Sequence, residues 1–135
     1  MASALHTKTT LRNSMMDQIS PAIGASGLLR LYTDPQPVTA DTALTTQVQL
    51  AELALSATAF GAAASGQITA NAIADDAAAD ATGTATWASL LTAAGVRIID
   101  LSVGTVGADV NLNSTAIQAG ARVSITSFTL NLVPN

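Results

Sequence analysis

The chain contains 135 residues with a formal net charge of −4, and only 10% of its residues are charged, against about 25% in ordinary domains. This length predicts one domain, and the absence of cysteine excludes disulfide bonds and thiolate metal sites. The few basic residues form no run and no apolar run approaches a membrane-spanning length, so we expect neither nucleic acid nor a membrane as a partner.

The first nine residues show no periodic pattern. They are mostly polar, and no apolar segment of the kind found in a signal peptide follows them. We expect a flexible N-terminal arm over residues 1–9 and a single domain over residues 10–135. We also expect residues 1–8 to become ordered only against a neighbouring subunit.

The next segment has the spacing of an amphipathic helix over about residues 10–23. Leu11, Met15, Ile19 and Ile23 recur every four residues, which lines one helix face and predicts that this face packs on the rest of the domain. Thr9 or Thr10 supplies a hydroxyl for the N-cap, and Gly24 suits the C-terminal end. Pro21 predicts a kink or an end near its position, because proline removes one backbone hydrogen bond and clashes with the preceding turn.

Short strands separated by turn residues follow, over about residues 28–133. We predict strands at 28–33, 47–57, 67–73, 84–91, 96–103, 110–112 and 122–133. The 47–57 segment is also rich in residues that favour a helix, but its alternation favours a strand. Turn signals about every ten residues are typical of an all-β fold. The sequence therefore predicts a mainly β protein: an antiparallel β-sandwich or jelly-roll-like domain of about 6–8 short strands with one N-terminal helix.

Two of these strands change their alternation partway. Val48 and Leu50 occupy one parity, whereas Leu53 and Leu55 occupy the other. In the 122–133 strand, Val123 and Ile125 precede a similar change, and the apolar residues Phe128, Leu130 and Leu132 follow it. One inserted residue, a β-bulge, is the usual cause of such a shift. We predict one bulge in the first strand and a second near Thr126-Ser127.

No group of residues has the pattern of a catalytic, cofactor-binding or metal site. His6 is the only histidine and lies in the predicted arm. Asp75, Asp76 and Asp80 lack the spacing of a calcium loop. The segment from Gly104 to Gly107 lacks the Lys-Ser/Thr ending of a phosphate loop and is interpreted as a hairpin turn, with Asp109 bonding backbone N–H groups. We expect no enzyme activity and no cofactor.

Several segments together resemble a family of small, mostly uncharacterised virion-associated structural proteins of tailed bacteriophages. The resemblance covers about residues 9–132 and rests on the order of eight segments: 10–17, 28–37, 60–63, 70–73, 80–87, 104–113, 117–120 and 123–130. It implies a non-enzymatic component of a phage particle, assembled in the host cytoplasm and located in the virion.

The low charge and the resemblance lead to two functional hypotheses. The first is a capsid-decorating, or cement, protein that forms a homotrimer and binds the major capsid protein at capsomer junctions. The alternative is a neck, tail or fibre-associated adaptor that binds other virion proteins or a host surface. The basic residues Lys8, Arg12, Arg97 and Arg122 are the candidate assembly contacts, with Arg97 and Arg122 in interface or cross-strand pairs.

Overall fold

A computed structural model describes residues 6–132. In this part of the chain, two short helices precede nine strands. The helices are α1 (Thr9–Met16) and α2 (Ile19–Ile23). The strands are β1 (Leu28–Tyr32), β2 (Gln49–Ala54), β3 (Gln67–Thr69), β4 (Gly83–Thr84), β5 (Trp87–Leu91), β6 (Arg97–Gly104), β7 (Val110–Leu112), β8 (Ala116–Ile117) and β9 (Ile125–Asn131). The predicted mainly β fold is confirmed, whereas residues 1–5 of the predicted arm and the end of the predicted last strand, residue 133, lie outside the described residues.

Within the described residues, seven of the strands form one curled sheet in the order β2-β1-β5-β6-β7-β9-β3, and β4 pairs with β8 in a small second sheet. The strand count exceeds the predicted one for two reasons. The predicted 84–91 strand is divided, because Ala85 and Thr86 donate to Thr115 and Tyr32 carbonyls and separate β4 from β5. The β8 partner of β4 is a two-residue strand, too short to show an alternating pattern.

Both outer strands of the curled sheet are covered by irregular segments of the chain. Along β2, Ala74 N–H donates to Ala54 O at 3.0 Å and Asp80 N–H donates to Leu50 O at 2.8 Å. Along β3, Gly61 N–H donates to Thr69 O at 3.0 Å. Exposed sheet edges attract further strands, so these segments protect the sheet from uncontrolled pairing.

A single hydrophobic cluster fills the concave side of the sheet. In β1, Leu29 and Leu31 are fully buried, and they alternate with Arg30 on the opposite face. Phe60, in the loop before β3, packs edge-to-face on Phe128 of β9 with ring centroids 5.2 Å apart. Both rings belong to this cluster, so the apolar parity of β9 after the bulge faces the core.

Both predicted bulges are present. Tyr32 of β1 pairs with Gln49 and Leu31 pairs with Ala51, so Leu50 is the extra residue of β2. Asn111 of β7 pairs with Ser127 and Leu112 pairs with Ile125, so Thr126 is the extra residue of β9. The Thr126 hydroxyl donates to Asn111 O at 3.0 Å, which ties the second bulge to its neighbouring strand.

The pairing of β6 with β7 corrects the predicted hairpin. The two strands run parallel, with Val103 opposite Val110. The reason is the Asp109 carboxylate, which accepts from Ser102 N–H at 3.1 Å and from the Ser102 hydroxyl at 3.0 Å. These bonds return the chain to Ser102, so that β7 enters beside the end of β6 in the same direction. The predicted role of Asp109 in binding backbone N–H groups is thus confirmed, while the hairpin is wrong.

The helical segment differs from the prediction in the face that it buries. The chain bends at residues 17–18, between α1 and α2, because Pro21 has no N–H to donate to the carbonyl of Asp17 and its ring clashes there. In the structure Met16 and Ile23 are buried, whereas Leu11 and Met15 are 51% and 49% exposed. The predicted packing of Leu11 and Met15 is therefore wrong, and that of Ile19 holds, since it packs against the core.

The helical segment has a different kind of cap residue at each end. The N-cap of α1 is Lys8, with no side-chain hydrogen bond, so the predicted threonine cap is wrong. Gly24 follows α2 as predicted, but with a φ of 79° and a ψ of −173°. This conformation is open to glycine and differs from the left-handed helical one that is usual after a helix.

Candidate interaction surfaces

Hydrogen bonds from side chains of the helical segment attach it to the loop before β3. Asn13 Oδ1 accepts from Gly66 N–H and Asp17 Oδ1 accepts from Ala63 N–H, each at 2.7 Å. The Ser20 hydroxyl accepts from Phe60 N–H at 3.0 Å. With these bonds in place, one side of α1 is fixed against the domain and the opposite side faces outward.

The inward side of α1 contains Arg12, one of the predicted assembly contacts. Its guanidinium donates to Thr7 O and, at 2.9 Å, to Thr9 Oγ1. The side chain lies against Gly66, and the residue is only 7% exposed. Its Nε atom is buried and has no hydrogen-bond partner within residues 6–132. Arg12 is thus not the surface contact that the sequence predicts, because the bonds of Asn13 and Asp17 to the loop before β3 hold this side of α1 against the domain.

Arg97, the second predicted contact, is also engaged by its own chain. It lies over the Trp87 ring, 5.5 Å from the ring centroid, and forms an ion pair with Asp100 in which the two side chains are 11% and 4% exposed. The same guanidinium donates to the carbonyls of Thr39 and Thr42. Arg97 therefore holds together the convex face of the sheet instead of facing a partner.

Lys8 and Arg122 remain at the surface, and their role as assembly contacts stays a prediction. Lys8 is exposed at the start of α1. Arg122 pairs with Asp75 at 2.9 Å, and the Arg122 side chain is 71% exposed. Such an exposed pair contributes little to stability, so Arg122 is available to a partner.

The remaining acidic residues of the 75–80 loop attach the loop to β2 and support its turn. Asp76 accepts from Glu52 N–H and Ala78 N–H, each at 3.0 Å. Asp80 accepts from the Gln49 side-chain amide at 2.9 Å. In the part of the chain that the structure describes, no group of three or more His, Cys, Asp or Glu residues is placed to hold a metal ion.

Arg30 and Glu52 form a second ion pair on the convex face. Arg30 Nε lies 2.7 Å from Glu52 Oε2. Partial burial of the guanidinium lowers the pKa of Arg30, but the hydrogen bond and charge of Glu52 outweigh it, and the net pKa lies above the ordinary value. This pair is a cross-strand contact between β1 and β2.

One groove lies beside the second bulge. It has a volume of about 310 Å³ and forms where the chain after β3 diverges from β9. Ile73, Ile125 and Phe128 supply apolar lining, and Asn71 and Ser127 are among its polar residues. The groove is a shallow feature of the sheet in which no titratable residue takes part.

The most distinctive surface feature is the outward side of α1. Lys8, Leu11 and Met15 are separated by three and four residues, and such residues lie next to one another on a helix. All three are exposed. We call this set the exposed helix face. Sequence periodicity placed Leu11 and Met15 inside, although Pro21, one turn beyond Asp17, is a sequence signal that the helix does not continue as one straight element.

No helix among residues 6–132 has both the length and the apolar character needed to cross a membrane. Comparison of the chain with protein-family models, with curated protein sequences and with solved structures finds no match.

Proposed function

We propose that this protein is a non-enzymatic structural protein of a phage virion that decorates the capsid. It forms a homotrimer and binds the major capsid protein at capsomer junctions. The observation that carries the proposal is the exposed helix face, where two large apolar side chains are about half exposed on a short helix. Together with the resemblance described above, this face supports a role in assembly.

The energetics favour a protein that works in many copies. Full burial of a leucine or methionine side chain is worth about 1.5–3 kcal/mol, and Leu11 and Met15 are already half buried. Each contact through this face is therefore weak. Linked copies on a particle surface gain from multivalency, since each further contact forms at a high effective concentration. A trimer bound across a capsomer junction uses this effect.

The rest of the chain supports a protein that folds before it assembles. Both sheet edges are covered by residues 74–80 and 61–64, which discourages pairing with other sheets. The Arg97–Asp100 and Arg30–Glu52 pairs are formed within the chain. A subunit of this kind attaches through side chains on its finished surface rather than by exchanging strands.

Purified virions test the proposal directly. Quantitative mass spectrometry should find this protein at a copy number comparable to that of the major capsid protein, and electron microscopy should place it over the capsid surface. A low copy number confined to one vertex would refute capsid decoration and favour the neck or tail adaptor.

A surface variant tests the helix face. Leu11→Gln with Met15→Gln should leave the melting temperature of the isolated protein unchanged but reduce its incorporation into particles. The control is Val106→Gln, because Val106 is 84% exposed on a loop rather than on α1. Equal incorporation of the helix variant and the control would exclude the exposed helix face as the contact.

A further inference from the structure

The convex side of the sheet carries a second buried cluster, separate from the core. Tyr32 and Trp87 stack with ring centroids 4.5 Å apart and an interplanar angle of 16°. These two residues and Leu91 are at most 2% exposed. They alternate with the core residues of β1 and β5, so they face away from the core. Something other than the core must cover them.

Residues 33–48, which connect β1 to β2, form the segment that reaches this cluster, and we call this segment the strap. Its base is closed by Thr33 N–H donating to Val48 O and by Val48 N–H donating to Thr33 Oγ1, each at 3.0 Å. The Trp87 indole N–H donates to Thr33 O at 3.2 Å. Farther along, the carbonyls of Thr39 and Thr42 accept from Arg97, which lies over the Trp87 ring. The strap thus meets the aromatic cluster at its base and, through Arg97, along its length.

The side chains of the strap are hardly buried against the rest of the domain. None of its residues from 34 to 46 is buried, and Val38 is 94% exposed. Its internal ties are polar: Thr42 N–H donates to Thr39 O at 3.0 Å and the Gln47 side chain donates to Pro35 O at 2.6 Å. A segment with few buried apolar contacts is one that opens locally at low cost.

We propose that the strap is a latched lid: it opens as a local unit without unfolding of the domain, Arg97 is the latch, and opening uncovers the Tyr32–Trp87 surface. Arg97 suits the latch because a guanidinium donates in several fixed directions at once. Here it binds two strap carbonyls while its charge is held by Asp100. This device is independent of the role proposed above for α1.

Trp87 is the only tryptophan of the chain, so its indole N–H gives one NMR signal and reports on the strap. We would measure its hydrogen exchange, and that of the backbone amides of Leu29 and Leu90, at several low urea concentrations. Local opening exposes little surface and so depends weakly on urea, whereas global unfolding depends strongly on it. The indole should therefore show a protection factor at least about tenfold lower than those amides and nearly independent of urea. Equal protection with equal urea dependence would overturn the proposal.

The latch is tested with variants. Arg97→Lys keeps the positive charge but loses the several fixed donors of the guanidinium. If this single variant folds poorly, the double variant Arg97→Gln, Asp100→Asn replaces it, because it leaves no unpaired buried charge. Either should lower the indole protection further, relative to the core amides, and should increase acrylamide quenching of Trp87 fluorescence. Arg30→Lys is the matched control, since Arg30 forms an ion pair on the same face of the sheet with Glu52. An unchanged ratio of indole to core protection in a folded Arg97 variant would exclude Arg97 as the latch.

Discussion

Replacement of Phe128 by alanine tests the central packing of the domain. Phe128 is 2% exposed on β9 and contacts Phe60 edge-to-face. The position follows the Thr126 bulge, which sets the parity that points this ring inward. A wrong bulge would place the side chain at this position on the opposite face of the sheet.

The magnitude follows from the area that the ring buries. An aromatic side chain buries about 150–250 Å², which at about 25 cal/mol per Å² is worth roughly 4–6 kcal/mol as an upper estimate. Measured truncations of buried Phe to Ala cost about 3–5 kcal/mol. Of this, the edge-to-face contact with Phe60 contributes about 0.5–1.5 kcal/mol. The loss is a large share of the total stability of a small domain, which is about 5–15 kcal/mol.

Thermal melting followed by circular dichroism measures the effect. Phe128→Ala should lower the melting temperature by on the order of 10–20 °C in a domain of this size. Asn131→Ala, an exposed position on the same strand, is the control and should melt like the unmodified protein. A double-mutant cycle with Phe60→Ala isolates the ring contact, because coupled neighbours deviate from additivity. An unchanged melting temperature for Phe128→Ala would refute both the strand and the bulge.

Three further substitutions, the first with a matched control, test particular contacts. Gly66→Ala should destabilise the protein by about 1–3 kcal/mol or more, because the φ of Gly66 is +73° and its added Cβ would lie 2.7 Å from Leu132 O. Gly107→Ala is the control, because Gly107 has a similar φ of +72° but no atom within 4 Å of the added Cβ. If the urea midpoint of Gly107→Ala were as low as that of Gly66→Ala, the contact with Leu132 O would not be the cause of the destabilisation. Asp109→Ala should cost about 1.5–3 kcal/mol, since the carboxylate accepts two hydrogen bonds from Ser102; loss of less than about 0.5 kcal/mol in urea unfolding would be incompatible with its role in placing β7. Arg122→Ala should change stability by at most about 1 kcal/mol, as for exposed ion pairs, and normal melting with failed incorporation into particles would identify a second assembly contact.

Local features of this fold were predictable wherever the cause lies within a few residues. The two bulges appear in the sequence as shifts of parity at Leu50 and near Thr126, because side chains alternate with a period of two along a strand. The helix bend follows from Pro21, and the Asp109 contact follows from the preference of aspartate for backbone N–H groups in turns. Each of these effects is set by the covalent chain and needs no distant partner.

The candidate surfaces depend instead on contacts between residues distant in the sequence. Arg97 resembles any other basic residue until the carbonyls of the strap (residues 33–48) are seen to accept hydrogen bonds from it, and the sequence separation of 55 between Arg97 and Thr42 hides that contact. The parallel direction of β7 beside β6 has a different origin: Asp109 and Ser102 are only seven residues apart, but the local sequence pattern does not distinguish a hairpin from a parallel return. Pairing direction and the cover of a sheet face are properties of the assembled domain.

A mainly β fold, a helical start that bends before Pro21 and the inward parity of β9 all follow from the amino-acid pattern. The buried face of α1 does not follow from it, because the folded domain places Arg12 and Met16 inside and leaves Leu11 and Met15 outside. The physical reason is that apolar periodicity shows which residues share a helix face, whereas the face that is buried depends on the fit to the opposing surface. Here the side-chain bonds of Asn13, Asp17 and Ser20 to residues 60–66 fix that fit, and their gain outweighs the cost of leaving two apolar side chains half exposed.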